Sequence, residues 1–314
     1  PRDRQHRLLD LFTQHNARIE RLIGIDYAPA TYQRYRTTLY HLRRYPQQRG
    51  QEDLPVEEID GPFVNDFDYY LRTERQCNNN TTVKYLRNLH KIILQALRQG
   101  WITQDPFIHY QGRKKTVDRP YLDQAELDAL TEKTFPIPRL AQIRDIFLFA
   151  CYTGLAYIDV AQLTPEHLSR HVDGSWWIRT QRQKTKTPSL IPVLPQAQTL
   201  IDRYRDHPEA LAQGTLLPVK SNQKTNAYLK EIADLCGITK KLTFHVARHT
   251  FATTVTLSNG VPIETVSAML GHRSIQTTQH YARIVQRKAG EDMKALEEKL
   301  ARKSPPAGQI KKLS

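Results

Sequence analysis

Apolar residues recur at helical spacing through the first third of the chain. Each stretch has one apolar face and an opposite face of polar and basic residues, which predicts amphipathic α-helices. Asparagine, proline and glycine residues supply the expected start and stop signals. The predicted helices are residues 4–23, residues 30–45, a helix that opens at Gly61-Pro62, and a helix that is capped by Asn79 or Asn80 and ends at Gly100.

The hydrophobic pattern changes in the middle of the chain. Residues 175–179 and 189–193 form short runs typical of strands, and the turn signal Asp173-Gly174 precedes the first. Helical spacing surrounds them on both sides, so the predicted fold class is mainly α with a small antiparallel β-sheet, an α+β arrangement. The further predicted helices are one capped by Asp123 and those near residues 140–152, 196–205, 222–235, 245–257, 263–270, 274–284 and 290–302.

A polar and basic segment, residues 111–120, separates the all-helical part from the mixed part. Its composition predicts an interdomain linker. Because the chain starts at Pro1 without an initiating methionine or an apolar leader, we expect a further region upstream of it. The expected organisation is a helical domain (1–110), the linker (111–120), a second domain (121–302) and a mobile tail (303–314).

The net charge of the chain indicates which kind of molecule it binds. The 314 residues include 46 Lys and Arg against 32 Asp and Glu, a net charge of +14, and the pI is near 9.7. Such an excess on a globular chain favours a polyanionic partner, above all nucleic acid, although basic stripes can also be merely solvated helix faces. The expected DNA-contacting residues are Arg34, Lys84, Arg87, Lys91, Arg113, Lys114 and Lys115.

Two features exclude other classes of protein. The most apolar stretch, residues 146–161, contains Thr153, Gly154 and Asp159, so it does not predict a membrane span. The three cysteines lie far apart in the sequence, which argues against a disulfide framework and a cysteine-based zinc site. The sparse cysteines favour a protein of a reducing compartment such as the cytoplasm.

The residues that suggest chemistry lie mainly in the second half of the chain. Spacing alone makes each of them a weak signal, and only the combination is informative. His245 and His249 have the spacing of a zinc-binding pair, but the glutamate of the metalloprotease pattern is absent, so no metal is expected. The informative set is His245, Arg248, Leu270-Gly271-His272, Tyr281 and, in a polar hairpin, Lys184.

These residue types together fit phosphoryl transfer without a metal ion. The transition state gathers negative charge on the nonbridging oxygens, and guanidinium and imidazole groups can neutralise that charge. A tyrosine hydroxyl can attack phosphorus to form a covalent phosphotyrosine, and a nearby lysine can protonate the leaving oxygen. Because the covalent link retains the energy of the broken bond, the strand can be rejoined without ATP or any other cofactor.

This combination resembles the tyrosine recombinase, or phage integrase, family over nearly the whole chain. The pair His245-x-x-Arg248 resembles the family's HxxR box, Leu270-Gly271-His272 resembles its LGH box, and Lys184 resembles its hairpin lysine. The resemblance implies that Tyr281 is the nucleophile, that Arg248 and His272 bind the scissile phosphate, and that Lys184 is the general acid. It also implies that His245 aids proton transfer at the tyrosine.

The resemblance carries further implications for architecture and partners. It implies a two-domain, C-shaped clamp on double-stranded DNA, in which a helical core-binding domain precedes the catalytic domain. Recombination needs four active sites, so we expect a homotetramer assembled on DNA in the bacterial cytoplasm, associated with the nucleoid during recombination. An accessory DNA-bending protein is an optional partner. The predicted helix 290–302 is expected to dock on a neighbouring protomer or, alternatively, on its own domain.

One position departs from the family pattern. The run Thr153-Gly154-Leu155-Ala156 has alanine where the family has its first catalytic arginine. Another cation can take over that role, and the candidates are Arg144 first and then Arg179 and Arg182. Alternatively, the protein is a DNA-binding factor of the same fold with little activity, or an enzyme similar to a type IB topoisomerase. With the other catalytic positions intact, a site-specific recombinase is the expected function.

Overall fold

The computed structural model describes residues 6–47, 53–117, 119–183 and 186–281, and the single positions 293 and 297. The chain divides into two compact units, Pro1–Val117 and Asp118–Ser314. The division falls inside the predicted linker. The predicted helix 290–302 and tail 303–314 lie outside the described residues, except that Met293 and Glu297 are helical and exposed. In the described ranges, no helix is long and apolar enough to cross a membrane.

Amphipathic helices build the first unit, as their sequence pattern predicts. Their apolar faces meet in a single core, where the side chains of Phe12, Phe67 and Leu89 are fully buried. The basic faces are consequently left to solvent. Within the described residues, the α-helices of this unit are α1 (Leu8–Arg21), α2 (Pro29–Gln47), α3 (Gly61–Thr73) and α4 (Asn79–Arg98).

The start of α4 corrects one detail of the sequence prediction. The side-chain oxygen of Asn78 accepts a hydrogen bond from the Thr81 N–H at 3.0 Å, so Asn78 is the cap. The prediction of Asn79 or Asn80 is wrong because three consecutive asparagines offer the same capping chemistry, and the first of them is the one in extended backbone conformation.

Asn79 and Asn80 instead hold the basic segment that follows the first core. The Asn79 amide donates to the Arg113 carbonyl at 3.0 Å. The Asn80 amide donates to the Lys115 carbonyl at 2.9 Å and accepts from the Lys115 N–H at 2.8 Å. The main chain of this part of the predicted linker is therefore fixed on α4, while the side chains of Arg113, Lys114 and Lys115 are exposed.

The second unit mixes helices with one small sheet, which confirms the predicted fold class. The helices α7 (Tyr157–Ala161) and α9 (Pro208–Gln213) escape prediction because they are too short to show helical periodicity. A π-helical turn, Phe251–Thr256, continues helix α11 (Phe244–Thr250). Within the described residues, the α-helices are α5 (Gln124–Glu132), α6 (Pro138–Thr153), α7 (Tyr157–Ala161), α8 (Pro195–Tyr204), α9 (Pro208–Gln213), α10 (Asn222–Leu235), α11 (Phe244–Thr250), α12 (Ile263–Met269) and α13 (Gln276–Gln279).

The sheet is antiparallel in the order β1-β2-β3. Its strands are β1 (Leu168–Arg170), β2 (Trp176–Gln181) and β3 (Pro188–Pro192). Strand β1 was not predicted, because it has three residues of which only Leu168 is apolar. The Ser189 hydroxyl of β3 donates to the Met269 carbonyl at the end of α12, which ties the sheet to the turn that follows α12.

The buried helix α6 is the centre of the second core. Its residues Phe147 and Phe149 are fully buried, and α11 packs directly on it, with Phe147 and Phe244 in edge-to-face contact. This packing brings the middle of α11 next to the last residue of α6, where the helix ends at Gly154. Three residues of the predicted site, Arg248, His272 and Tyr281, converge at this point.

Candidate active site

Arg248 is the buried cation of this region. It lies on α11, its residue exposure is only 3%, and its guanidinium donates to two main-chain carbonyls. One is the carbonyl of Gly154 at 2.7 Å and the other is the carbonyl of Leu270. A buried guanidinium with this many fixed partners has a single orientation, which is what a phosphate-binding fork requires.

Gly154 makes this arrangement sterically feasible. Its backbone is left-handed, with φ of +70°, as is common where a helix ends. A Cβ atom at this position would lie 2.4 Å from Phe251 Cδ1 and 2.9 Å from Leu270 Cδ2, closer than non-bonded atoms approach. The residue before Leu155 therefore has to be glycine, both for its conformation and for the close approach of the core.

His272 contacts Arg248 from the turn that follows α12. Its Nε2 lies 3.1 Å from the Arg248 guanidinium, and its Nδ1 lies 2.8 Å from the Thr278 hydroxyl. Burial and the positive charges of Arg248 and Arg182 lower the pKa of His272 to about 4. The imidazole is consequently neutral at neutral pH in the DNA-free protein.

Tyr281 lies beside these two groups, immediately after α13. Its residue exposure is 8%, and its hydroxyl oxygen is 2.8 Å from Nδ1 of His249. Burial raises the pKa of the phenol, while the charges of Arg248, Arg119 and Arg182 act in the opposite direction. The hydroxyl is therefore inside an electropositive pocket, and it is un-ionised at neutral pH.

His249 is the residue that sequence reasoning missed. The resemblance implied His245 as the histidine that helps the tyrosine, but His245 is exposed, and the ring in contact with Tyr281 is that of His249. The two histidine rings meet edge to face with centroids 4.5 Å apart. The i,i+4 spacing was a signal that they are neighbours, but the sequence could not show which of them faces the approaching tyrosine.

Ala156, the departure from the family pattern, directly precedes the short helix α7, whose carboxylate Asp159 is buried. The Asp159 side chain accepts a hydrogen bond from the Gln183 N–H at 3.0 Å. The backbone of Arg182 is fixed as well, because its N–H donates to the Thr187 carbonyl at 2.9 Å. The segment that lacks the family's arginine thus holds the hairpin that carries Arg182.

Arg182 is the cation that this arrangement brings to the site. It is half-buried, and it lies against the turn before His272: a Cβ at Gly271 would stand only 3.4 Å from the Cβ of Arg182. Its charge lowers the pKa of the Arg248 guanidinium, after burial, to about 10, so Arg248 stays protonated at neutral pH. The charge of Arg182 also contributes to the lowered pKa of His272 and opposes the rise in the pKa of Tyr281.

Arg144 does not join the cluster. Its guanidinium donates to Asp145 at 2.6 Å and to the carbonyls of Leu130, Thr131 and Lys133 at the end of α5. These bonds hold α5 on α6, so the first candidate for the missing arginine has a structural placement instead. Arg179 is exposed on β2, opposite exposed Leu190 of β3.

Several predicted residues contribute no site geometry. Lys184 lies in the gap at residues 184–185, outside the described residues. Among the residues that the structure describes, no group of three or more His, Cys, Asp or Glu side chains could hold a metal ion.

The predicted DNA contacts are all exposed, as binding to a duplex requires: Arg34, Lys84, Arg87, Lys91, Arg113, Lys114 and Lys115.

Comparison with known proteins defines the class of this fold and site. The family model of the phage integrase SAM-like domain matches residues 7–115, and that of the phage integrase family matches residues 120–287, more than half of the chain. The chain therefore belongs to the phage integrase family, and the prediction of a tyrosine recombinase is confirmed.

Individual relatives are similar over most of their length. The chain is 24% identical over 274 residues to a tyrosine recombinase XerC of Listeria monocytogenes, which covers 82% of this chain and 88% of the relative. It is 28% identical over 265 residues to a tyrosine recombinase XerD of Lacticaseibacillus casei, covering 77% and 89%. The structure of a lambda integrase tetramer bound to a Holliday junction shares the fold, with a TM-score of 0.69, 16% identity, and coverage of 89% and 78%.

Proposed function

We propose that this protein is a site-specific recombinase that cleaves and rejoins duplex DNA through a covalent 3′-phosphotyrosine intermediate. The observation that carries the proposal is the convergence of three buried or half-buried groups from separate segments. A phenol, a fixed guanidinium and a neutral imidazole meet around the end of α6, in a family whose members are recombinases.

The chemistry balances with the residues of this chain. The Tyr281 oxygen attacks the scissile phosphorus, the new O–P bond forms, and the bond from phosphorus to the 5′-oxygen breaks. Arg248 and His272 stabilise the charge on the nonbridging oxygens, and Lys184 gives a proton to the leaving 5′-oxygen. Attack by a 5′-hydroxyl of another strand reverses the steps, so rejoining consumes no ATP.

In this proposal, Arg182 supplies the second phosphate-binding guanidinium. It thereby replaces the catalytic arginine that the family has at the position of Ala156. Two arginines can neutralise two phosphate oxygens, and losing one such donor typically costs about 10²–10³-fold in rate. The support comes from the proximity of Arg182 to Gly271 and its electrostatic effect on Arg248 and Tyr281. A catalytically weakened DNA-binding factor was the alternative that Ala156 favoured, and a substitute arginine removes the reason for it.

The assembly on DNA belongs to the same proposal. The exposed cations of the first unit bind phosphates of the duplex, and four protomers act together at a pair of sites. The lambda integrase structure is a tetramer on a Holliday junction, which supports this assembly. A requirement for two defined sites separates a recombinase from a topoisomerase, which relaxes any supercoiled DNA. Location at the nucleoid and an accessory DNA-bending protein remain expectations.

A nicked suicide substrate tests the function directly. Loss of a short strand fragment after cleavage prevents religation and traps the covalent complex. We expect the natural protein and the Tyr69→Phe control to form the complex, since the exposed Tyr69 belongs to the first unit. Tyr281→Phe should bind DNA with unchanged affinity and form none. A normal yield of covalent complex from Tyr281→Phe would overturn the proposal.

A further inference from the structure

The Tyr281 hydroxyl contacts His249, a residue to which the family resemblance assigned no role. His249 is 3% exposed on α11, one residue after Arg248, and its Nδ1 lies 2.8 Å from the phenol oxygen. A general base has to be within about 2.6–3.2 Å of the oxygen whose proton it takes. His249 meets this requirement, and the ring of the exposed His245 meets the His249 ring edge to face.

The phenol needs such a partner because of its surroundings. A tyrosine that attacks phosphorus has to lose its proton as the O–P bond forms. Burial raises the pKa of Tyr281, so ionisation ahead of the attack is disfavoured at neutral pH. The hydroxyl proton consequently requires a nearby acceptor during the reaction, and the acceptor has to be neutral before the reaction starts.

We propose that His249 is a catalytic residue, the general base that takes the hydroxyl proton of Tyr281 during strand cleavage and returns it during rejoining. This inference rests on the recombinase function proposed above. In cleavage the proton moves from the Tyr281 oxygen to His249 Nδ1 while the O–P bond forms. The leaving 5′-oxygen receives a different proton, from the general acid, so both protons are accounted for.

The charges around His249 set its state before and during the reaction. Four groups face it: His245 and Arg248 from its own helix, Arg119 from the segment before α5, and His272 from the turn after α12. Burial and these groups lower the pKa of His249 to about 3, so the imidazole is neutral at neutral pH and only weakly basic in the DNA-free protein. A bound phosphate brings negative charge next to the Arg248 guanidinium and raises the proton affinity of His249 as the reaction begins.

The test replaces the nucleophile by one that depends less on a base. Trifluorotyrosine at position 281 has a lower phenol pKa than tyrosine, so its hydroxyl loses its proton with less need of a base. Single-turnover cleavage of the nicked suicide substrate is measured for the full-length protein with tyrosine or trifluorotyrosine, each with His249 or His249→Asn. With tyrosine, we expect His249→Asn to cleave about 10²-fold more slowly, the size of a typical general-base contribution. With trifluorotyrosine, the two proteins should differ by less than about threefold, since a group that only accepts protons becomes dispensable.

His249→Asn keeps a hydrogen-bond acceptor near the position of Nδ1 but cannot take up a proton. A merely structural role would therefore be rescued by asparagine with either nucleophile. The exposed neighbour His280→Ala serves as the matched histidine control and should leave cleavage unchanged. Equal rates of the natural protein and His249→Asn with tyrosine, or an equal loss with both nucleophiles, would overturn the assignment. Adduct formation by Tyr281→Phe would instead overturn the recombinase proposal itself, so the two failures are distinguishable.

Discussion

The cations of the two units are used in opposite ways. In the first unit, Lys84 and Arg87 lie exposed on the outer face of α4, and the core beneath them is apolar. In the second unit, Arg248 is 3% exposed, and carbonyls of Gly154 and Leu270 fix its guanidinium. The positive charges of the first unit therefore lie on side chains in water, whereas the charge of Arg248 in the second unit is held in one orientation inside the protein.

This difference separates affinity from chemistry. Exposed cations on flexible side chains contribute to binding through counterion release, additively and with little demand on geometry. A buried, oriented guanidinium can stabilise a transition state because it requires no reorganisation during the reaction. We therefore expect substitutions in the first unit to change binding and its salt dependence, and substitutions around Arg248 to change the rate of cleavage.

Arg248→Lys should have the largest effect. It preserves the charge but removes the fork that bonds to two carbonyls and that we propose binds phosphate. We expect single-turnover cleavage to fall by about 10³-fold, with DNA affinity changed by less than about threefold, as estimated from the loss of an oriented donor. A gel-shift titration and a cleavage time course measure the two quantities. An equal loss of DNA affinity and cleavage rate would contradict the assignment of binding to the first unit and of chemistry to the surroundings of Arg248.

Lys184→Ala tests the leaving-group side of the same reaction. We expect cleavage of ordinary DNA to slow by about 10²-fold or more, because a general acid is lost. Cleavage of a substrate with a 5′-bridging phosphorothiolate should be nearly unaffected, since sulfur leaves without protonation. Lys186→Ala, two residues along the hairpin, is the control and should alter binding more than chemistry. If both substrates lose the same factor, Lys184 acts only in binding.

Arg182→Ala asks whether the hairpin supplies the second guanidinium. A loss of about 10²-fold in cleavage at saturating DNA is expected for one phosphate-binding donor. Arg179→Ala is the matched control, because Arg179 lies on the neighbouring strand with its side chain exposed. Equal effects of the two substitutions on cleavage would mean that Arg182 contributes no more than an exposed cation. In that case, Arg182 does not replace the catalytic arginine that is missing at Ala156.

Lys84→Ala and Arg87→Ala should have the smallest effects. Each is expected to reduce the slope of log affinity against log salt concentration by about 1 and to leave cleavage at saturating DNA unchanged. The slope is measured by equilibrium binding over a series of salt concentrations. A cleavage defect that persists at saturation would show that the first unit takes part in chemistry.

The fold was largely predictable because long amphipathic helices have strong periodicity. Helix α10, Asn222–Leu235, lies where the pattern placed it. The misses were elements with too few residues to show a period, such as α7 and β1, and the choice among neighbouring asparagines at the start of α4. In each case several placements satisfy the local sequence rules equally well, and tertiary contacts decide between them.

The site was predictable in its members but not in its contacts. Motif spacing identified Arg248, His272 and Tyr281, whereas the partner of the tyrosine depended on how α13 approaches α11. The sequence likewise could not show which arginine replaces the missing one, because this too depends on tertiary contacts. Arg144 was favoured from its position on α6, yet its bonds to Asp145 and to the end of α5 hold it elsewhere. Only long-range folding joins the hairpin of Arg182 to the turn at Gly271.

Mapping the covalent bond tests the central claim most directly. The complex trapped on a nicked suicide substrate is formed in the presence of a metal chelator, digested with protease and nuclease, and analysed by mass spectrometry. The account predicts that a peptide containing Tyr281 carries a 3′-phosphonucleotide on the tyrosine oxygen, with the same yield as without the chelator. An adduct on any other residue, or an adduct that forms only when a divalent metal is supplied, would contradict it.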